Sequence, residues 1–232
     1  MDVIMHDDDM WTAWQTAAPR LYDQTYYQEG SIVAHINDAG HRISEAPFDK
    51  GDFFSSVLEV GAGTGRHLQY VKHRFDRYVM TDISENLLKL ARDRYHDCSG
   101  LQFEVADATK LPYPDASFDR LISIYNLEHL PNPHSVLKEW RRVIKPGGTL
   151  SIAIPLDGGV AWRLGRFLTT RRTFAREGLD LDYIIAREHI NPSYNLIALI
   201  RYYFEQRKEV WYPFRLPLVD INLVYCCSLQ LA

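Results

Sequence analysis

Short apolar runs alternate with stretches of helical periodicity along most of this chain. The apolar runs are rich in β-branched and aromatic residues, which favour strands, and apolar positions in the following stretches recur every three or four residues. Such alternation is typical of βαβ units and of a mostly parallel sheet. The pattern predicts five strands before the last third of the chain, at residues 57–60, 77–81, 101–106, 118–124 and 149–154.

The helical pattern is clearest between and around these strands. It predicts helices at residues 11–27, 32–43, 65–75, 84–95, 135–143 and 193–204. Ser84 is placed to cap the fourth of them, and the run Lys-Pro-Gly-Gly at 145–148 is expected to stop the fifth. Residues 156–190 are irregular or helical, and two last strands are predicted at 208–212 and 223–231.

Composition is that of an ordinary globular protein of one domain. Of the 232 residues, 46% are hydrophobic and 24% charged, and the net charge of −4 makes no global case for binding nucleic acid. No apolar run reaches the roughly 18 residues that a membrane span needs, and the acidic N-terminus argues against a signal peptide. Cys98, Cys226 and Cys227 form neither a disulfide framework nor a zinc spacing, so we expect a reduced, cytoplasmic protein.

The most informative segment follows the first predicted strand. Glu59 stands near the end of that strand, and Gly61, Gly63 and Gly65 occupy every second position after it. Glycine is required where the backbone turns sharply or approaches a ligand closely. A strand, a glycine turn and a helix N-terminus together form a cradle of backbone N–H groups. The alternative is a glycine-rich turn without a ligand.

The spacing Glu-x-Gly-x-Gly-x-Gly resembles the first motif of class I S-adenosylmethionine-dependent methyltransferases. A dinucleotide fingerprint would require a third glycine at position 66, which is Arg66, and the Gly-Lys-Ser/Thr of a P-loop is absent. In the family this loop, which here includes Ala62, wraps the methionine part of the cofactor. The resemblance therefore implies S-adenosylmethionine as cofactor.

Two acids follow later strands at positions that match the family. Asp82 lies at the end of the second strand, where a carboxylate can accept hydrogen bonds from both ribose hydroxyls, and Ile83 would pack on the adenine. The resemblance assigns the adenine amino group to Asp107 and the ring contact to the backbone of Ala108. The alternatives are a helix N-terminal acid favoured by the macrodipole for Asp82 and a polar turn residue for Asp107.

The fourth motif lies at the end of the fourth strand, where ligands bind in open α/β sheets. Tyr125 and Asn126 precede a Leu-Glu-His-Leu run and, further on, Lys-Pro-Gly-Gly, as in the small-molecule methyltransferases of this class. In related enzymes the backbone around these two residues lines the methionine end. His129, within the run, is a candidate general base, with a structural role as the alternative.

The resemblance covers about residues 55–155 and weakens after Pro155. It implies a Rossmann-like α/β fold: a seven-stranded, mostly parallel sheet with helices on both faces and an antiparallel terminal hairpin. We expect a single domain, with an N-terminal helical cap at 1–50, a cofactor-binding core at 55–155, a substrate-side insertion and helix at 156–206, and the last two strands at 207–232.

The acceptor side carries weaker signals. Five arginines and no acid lie between residues 162 and 176, among apolar residues at helical spacing, so this basic helix could bind an anionic acceptor, lie on a membrane surface or be a solvated face. His189 is a second candidate catalytic residue, with packing or capping as the alternative. Tyr22, Tyr26 and Tyr27 are candidates for a lid over the sulfonium, or for core packing.

We therefore predict transfer of a methyl group to an oxygen or nitrogen of a small molecule, possibly phosphorylated, nucleotide-linked or lipid-linked. The paired Asp-Asn of magnesium-dependent catechol methylation is absent after the fifth strand, so we expect no metal. We expect no nucleic-acid partner and no membrane-spanning segment, while homo-oligomers and peripheral membrane contact stay open. Two alternatives are a non-catalytic cofactor-binding module and an aminopropyl-type transferase on the same fold.

Overall fold

The computed structural model describes residues 7–21 and 31–231, and its centre is a seven-stranded sheet. The strands stand in the order β3-β2-β1-β4-β5-β7-β6. Strand β7 is antiparallel to both β5 and β6, and the other pairs are parallel. The predicted fold is confirmed. The strands are β1 Phe53–Val60, β2 Arg74–Asp82, β3 Leu101–Val105, β4 Phe118–Ile124, β5 Ile144–Pro155, β6 Arg207–Tyr212 and β7 Val224–Gln230.

Eight α-helices surround the sheet in the two described ranges. Three of them, α5 to α7, are short and follow one another directly after β5. The helices are α1 Asp7–Leu21, α2 Ile32–Glu45, α3 Glu85–Arg94, α4 Pro133–Val143, α5 Val160–Leu168, α6 Thr170–Arg176, α7 Leu181–Glu188 and α8 Ser193–Tyr203. The candidate lid residues Tyr22, Tyr26 and Tyr27 lie outside the described residues.

In residues 7–21 and 31–231, apolar burial divides among three clusters. The sheet carries one on each face, one of them around Trp140 of α4 and the other around Leu88 of α3. A third cluster lies away from the sheet, where Trp14 of α1 packs on Phe174 of α6 and Ile184 of α7. The N-terminal helix is therefore joined to the helices that follow β5, on the side where we expected the acceptor.

A buried polar network fixes α2 against the sheet. Arg120 of β4 is fully buried and pairs with Glu45 at the end of α2, with Nη1 donating to Oε2 at 3.1 Å. The ring of Phe48 lies 4.0 Å from the guanidinium. His67 continues the network, since its Nε2 lies 2.9 Å from Glu45 Oε1 and its Nδ1 lies 3.0 Å from Nδ1 of His41. These contacts fasten the C-terminal half of α2 to the first half of β4 and to the turn that contains His67.

Several element boundaries differ from the sequence predictions by a few residues, and in two places the kind of element differs as well. The helix predicted at 65–75 is only a 3₁₀ turn at Arg66–Tyr70, because Val71 is already extended and β2 begins at Arg74. The run at 145–148 was expected to lie outside the fifth strand. It belongs to β5 as a local irregularity, with a register shift between Phe118 and Arg120 and with Gly147 at φ +77°.

Candidate functional site

The glycine loop after β1 is held by backbone hydrogen bonds and by three left-handed residues. Gly61, Gly63 and Gly65 have φ of +72°, +55° and +74°, a region that side chains other than hydrogen disfavour. A Cβ on Gly61 would lie 2.2 Å from the side chain of Asn126. Beside Gly63 the opposite holds, since no heavy atom lies within 4 Å of a Cβ placed there. The loop backbone is thus closed against β4 at Gly61 and open at Gly63. Ala62 between them is buried, and its N–H donates to the carbonyl of Thr81 at 2.9 Å.

Asp82 faces this loop from the end of β2. Its Oδ2 accepts from the N–H of Gly63 at 2.9 Å, and its Oδ1 accepts from the N–H of Ser84 at 2.9 Å. Each carboxylate oxygen has a second lone pair, so these bonds orient the group without exhausting it. Ile83 beside it is 78% exposed, an unusual place for a large aliphatic side chain. The pair fits the expected ribose and adenine contacts.

Glu59 and Asp107 are placed differently. Glu59 is 3% exposed and lies beneath the loop, where its Oε2 accepts from the hydroxyl of Tyr78 at 2.8 Å, and burial raises the pKa of its carboxyl. Asp107 is exposed after β3, and its Oδ1 accepts from both the N–H and the hydroxyl of Thr109, which lowers its pKa. Ala108 next to it is buried.

Tyr125 and Asn126 join β4 to the glycine loop and to α2. Tyr125 takes a left-handed conformation with φ +55°, and its hydroxyl accepts from the N–H of Gly40 at 3.1 Å. Asn126 donates through Nδ2 to the carbonyl of Val60 at 3.3 Å. The residues predicted to line the methionine end therefore stand at the switch point between β1 and β4.

Both candidate catalytic histidines lie in one cluster at the carboxyl ends of β4 and β5. Their ring centroids are 4.8 Å apart and the rings are perpendicular. His129 donates from Nδ1 to the carbonyl of Glu188 at 3.0 Å, since a carbonyl only accepts. His189 donates from Nδ1 to Oδ2 of Asp157 at 2.7 Å. In the neutral form of each ring the lone pair is therefore on Nε2.

Comparison with known proteins bears on the fold and on the kind of domain. Residues 58–152 match the family model described as a methyltransferase domain. The chain is 36% identical over 135 residues to the methyltransferase GfsG of Streptomyces halstedii, and 38% identical over 154 residues to the ubiquinone/menaquinone biosynthesis C-methyltransferase UbiE of Bordetella avium. These matches cover 55% and 61% of the chain. The match to a methyltransferase domain thus runs from within β1 to within β5.

The curated relatives are longer than the matching stretch, which spans 48% of the Streptomyces protein and 60% of the Bordetella protein. Among solved structures, a Thermotoga maritima protein described as a possible histamine N-methyltransferase has a TM-score of 0.63 at 18% identity, with 96% of this chain and all of that one covered. The N-methyltransferase NodS of Bradyrhizobium japonicum, solved with S-adenosyl-L-homocysteine, has a TM-score of 0.62 at 14% identity, covering 94% and 97%. Similarity at this identity shows the shared fold.

Class I methyltransferase domains use S-adenosylmethionine as methyl donor, and the site of this domain fits that cofactor. The open backbone at Gly63 gives room for a ligand, and the fixed carboxylate of Asp82 can accept from a diol. Exposed Ile83 offers an apolar surface to a ring.

Burial and charge give the two histidines opposite properties. Burial, with a smaller contribution from neighbouring His189, lowers the pKa of His129 to about 4. Burial also opposes charge on His189, but the hydrogen bond to Asp157 and the negative charge of that carboxylate outweigh it, and the pKa of His189 is raised. Of the two rings, His189 is thus the stronger base.

Asp157 and Asn191, which the sequence analysis did not select, complete the cluster. Asp157 follows β5 directly, and the rule that functional residues follow the carboxyl ends of parallel strands would have found it. Asn191 donates to the carbonyl of Leu130 at 2.7 Å and fixes the loop that carries His129. Its long separation in sequence from that loop left no local signal.

The N-terminal helix closes this cluster from outside. Trp14 donates from Nε1 to Oε1 of Glu188 at 2.6 Å, and the guanidinium of Arg187 lies 4.3 Å from the ring of Trp11. These contacts bind α1 to α7, the helix that presents His189.

The arginine segment occupies α5 and α6 and is mostly exposed. Arg171 forms an ion pair with Asp182 of α7 at 3.3 Å, and Arg166 lies over the ring of Trp162 at 5.6 Å. No hydrogen bond from these arginines to the histidine cluster appears among the described contacts.

His129, Glu188 and His189 each offer a possible metal ligand, and these three atoms lie within 4.8 Å of one another. Zinc–nitrogen bonds measure about 2.0–2.1 Å, so even ligands on opposite sides of the ion lie about 4 Å apart. The three side chains would have to move closer to bind zinc. Metal independence stays a prediction.

Proposed function

We propose that this chain methylates an oxygen or nitrogen of a small-molecule acceptor with S-adenosylmethionine, and that His189 accepts the proton that the acceptor loses. The observation that carries the proposal is the Asp157–His189 hydrogen bond of 2.7 Å at the carboxyl edge of the sheet. A carboxylate that fixes Nδ1–H both selects the tautomer and stabilises the imidazolium, leaving Nε2 free to act as a base.

The residues divide into three groups by their proposed work. S-adenosylmethionine, when bound, supplies a methyl group already activated by its sulfonium charge. Asp82, Ile83, Asp107 and Ala108 would hold its adenosine, and Gly61, Ala62, Gly63, Gly65, Tyr125 and Asn126 would line its methionine end. Glu59 supports the loop from below, through Tyr78.

The path of the acceptor's proton follows from the pair Asp157 and His189. As the new bond from acceptor to methyl carbon forms and the methyl–sulfur bond breaks, the acceptor proton passes to Nε2 of His189. The hydrogen bond to Asp157 stabilises the resulting cation. His129 then positions the loop, since its Nδ1 bond ties that loop to the Glu188 carbonyl at the end of α7.

The kind of acceptor atom is the less constrained part of the proposal. Names of relatives include C-methyltransferases and an N-methyltransferase. A carbon acidified by a neighbouring hydroxyl also loses a proton, so the same base would serve it. Exposed Arg163 and Arg172 and half-buried Arg166 follow Asp157 on α5 and α6, which is why acceptors bearing phosphate belong in the screen.

The test combines an acceptor screen with a pH–rate profile. S-adenosylhomocysteine release and product mass are followed with hydroxyl, amine and phosphorylated acceptors, which separates methyl transfer from aminopropyl transfer and from binding without turnover. Asp157→Asn should lower kcat and move the acidic limb of the profile to lower pH, because the raised pKa of His189 falls when the carboxylate is lost. Asp182→Asn, which removes the exposed partner of Arg171, is the matched control. An unchanged limb in Asp157→Asn would remove His189 from the proton transfer.

A further inference from the structure

Helix α5, the first helix after β5, exposes a continuous apolar face. In the described part of the chain, no residue of α5 is buried. Val160, Leu164, Phe167 and Leu168 are 64%, 56%, 60% and 60% exposed. Their spacing of four, three and one residues places them on one side of the helix. Large aliphatic and aromatic side chains grouped this way mark an interaction surface.

The loop between β6 and β7 adds a second row of apolar side chains. Phe214, Leu216 and Leu218 are 62%, 53% and 54% exposed. Fully buried Asn222 holds this loop in shape, because its Oδ1 accepts from the N–H of Phe214 and its Nδ2 donates to the carbonyls of Leu216 and Leu218. The outward direction of these side chains is therefore built into the loop.

The helix and the loop are fastened to one another. The N–H groups of Val160 and Ala161 donate to Asp220, to its Oδ1 at 3.3 Å and its carbonyl at 2.8 Å respectively. Trp162 donates from its ring to the carbonyl of Leu223. The two rows thus form one surface, which we name the α5–loop face: Val160, Leu164, Phe167, Leu168, Phe214, Leu216 and Leu218.

The charge around this face is positive although the whole chain carries −4. Helices α5 and α6 contain five arginines and no acid, and the loop adds one arginine and one acid, Asp220, whose Oδ1 accepts from the N–H of Val160. The arginines are Arg163, Arg166, Arg171, Arg172, Arg176 and Arg215. A two-fold contact with a second copy would bring these like charges together, whereas anionic headgroups would neutralise them.

We propose that the α5–loop face binds the surface of an anionic lipid bilayer. The apolar side chains would enter the boundary between headgroups and acyl chains, with the arginines at the lipid phosphates. Asp157 lies just before α5, so binding would bring the mouth of the histidine cluster to the bilayer. The proposal rests on exposure and charge and does not depend on methyl transfer.

Vesicle sedimentation tests it with the full chain. The protein should sediment with vesicles of phosphatidylcholine mixed with phosphatidylglycerol, and less with phosphatidylcholine alone or at high salt. The double variant Leu164→Glu with Phe167→Glu should weaken this binding by at least about tenfold. Arg163→Ala with Arg166→Ala should reduce the preference for the anionic lipid.

The matched control places the same charges on apolar residues that are exposed elsewhere, Leu90→Glu with Tyr202→Glu, at 47% and 77% exposure. It should bind vesicles as the wild type does. Circular dichroism verifies that all variants fold. Equal vesicle binding by wild type and the α5 double variant would overturn the proposal, as would absence of wild-type binding. A concentration-dependent dimer that the α5 double variant abolishes would assign the face to a second copy instead.

Discussion

The cofactor side and the acceptor side of this domain are built in different ways. On the cofactor side, the five consecutive residues from Gly61 to Gly65 form the loop, and main-chain hydrogen bonds and left-handed glycines hold it. On the acceptor side, the key contacts join side chains from distant segments, as between Asp157 and His189 or Trp14 and Glu188. A cradle for a fixed cofactor needs backbone geometry, whereas a site for an acceptor is assembled from exchangeable side chains.

The largest expected effect separates the two histidines on the acceptor side. His189→Gln should lower kcat by roughly 10²–10⁴-fold, the range for losing a general base. His129→Gln should cost less than tenfold, because the pKa of His129 is lowered to about 4 and its Nδ1 already holds the Glu188 carbonyl. Steady-state kinetics with cofactor affinity measured alongside would check both. A larger loss in the His129 variant would reverse their roles.

A smaller effect is expected on the cofactor side. Asp82→Ala should weaken S-adenosylmethionine binding by roughly 1.5–3 kcal/mol, the scale for hydrogen bonds to a charged group. Asp82→Asn, which retains one acceptor oxygen, should lie between it and the wild type in calorimetry. Unchanged affinity in a folded Asp82→Ala protein would remove this residue from the cofactor site. The contrast between the two sides would then rest on the glycine loop alone.

Glu128, next to His129, should make the unfolding free energy depend on pH. Burial raises the pKa of Glu128 to about 8 from 4.5 in the unfolded chain. The folded protein therefore keeps a proton that the unfolded chain releases, and this group's contribution to stability is lost as pH rises through 8. Between pH 5 and pH 8, the unfolding free energy of wild type minus that of Glu128→Gln should fall by on the order of 1–3 kcal/mol. Urea denaturation would measure both free energies. An equal difference between the two proteins at pH 5 and at pH 8 would contradict the prediction.

The smallest expected effect is that of chelation. Exhaustive removal of divalent ions should leave turnover unchanged, because the candidate ligands around His189 lie too far apart without rearrangement. Restoration of lost activity by magnesium or zinc would instead make the acceptor side a metal site.

Local chemistry explains what could be predicted from sequence. The glycine loop and Asp82 could be predicted because few residue types suit these positions. Glycine is favoured at the three left-handed positions, and a carboxylate suits the end of the strand, where it can accept hydrogen bonds from a diol. Strand β4 was predicted at its observed bounds because Phe118, Leu121, Ile122 and Ile124 make it mostly apolar, as in a strand buried on both faces, although buried Arg120 interrupts the run.

The rest depends on contacts that no local pattern encodes. His189 was a candidate, but its partner Asp157 is 32 residues away, on the other side of three short helices. The 3₁₀ turn after Gly65 escaped prediction because helical periodicity continued past the point where Val71 turns extended. The pairing of Glu45 with Arg120 likewise joins positions 75 residues apart.

That buried pair has a consequence for how the chain can change over generations. Losing either Arg120 or Glu45 alone would strand a charge inside the fold at a cost of about 3–5 kcal/mol, comparable with the whole stability of many domains. Replacing both together with apolar residues of similar volume would cost far less. Single-step drift is therefore blocked at these two positions, and related sequences should either retain both residues or have exchanged them jointly.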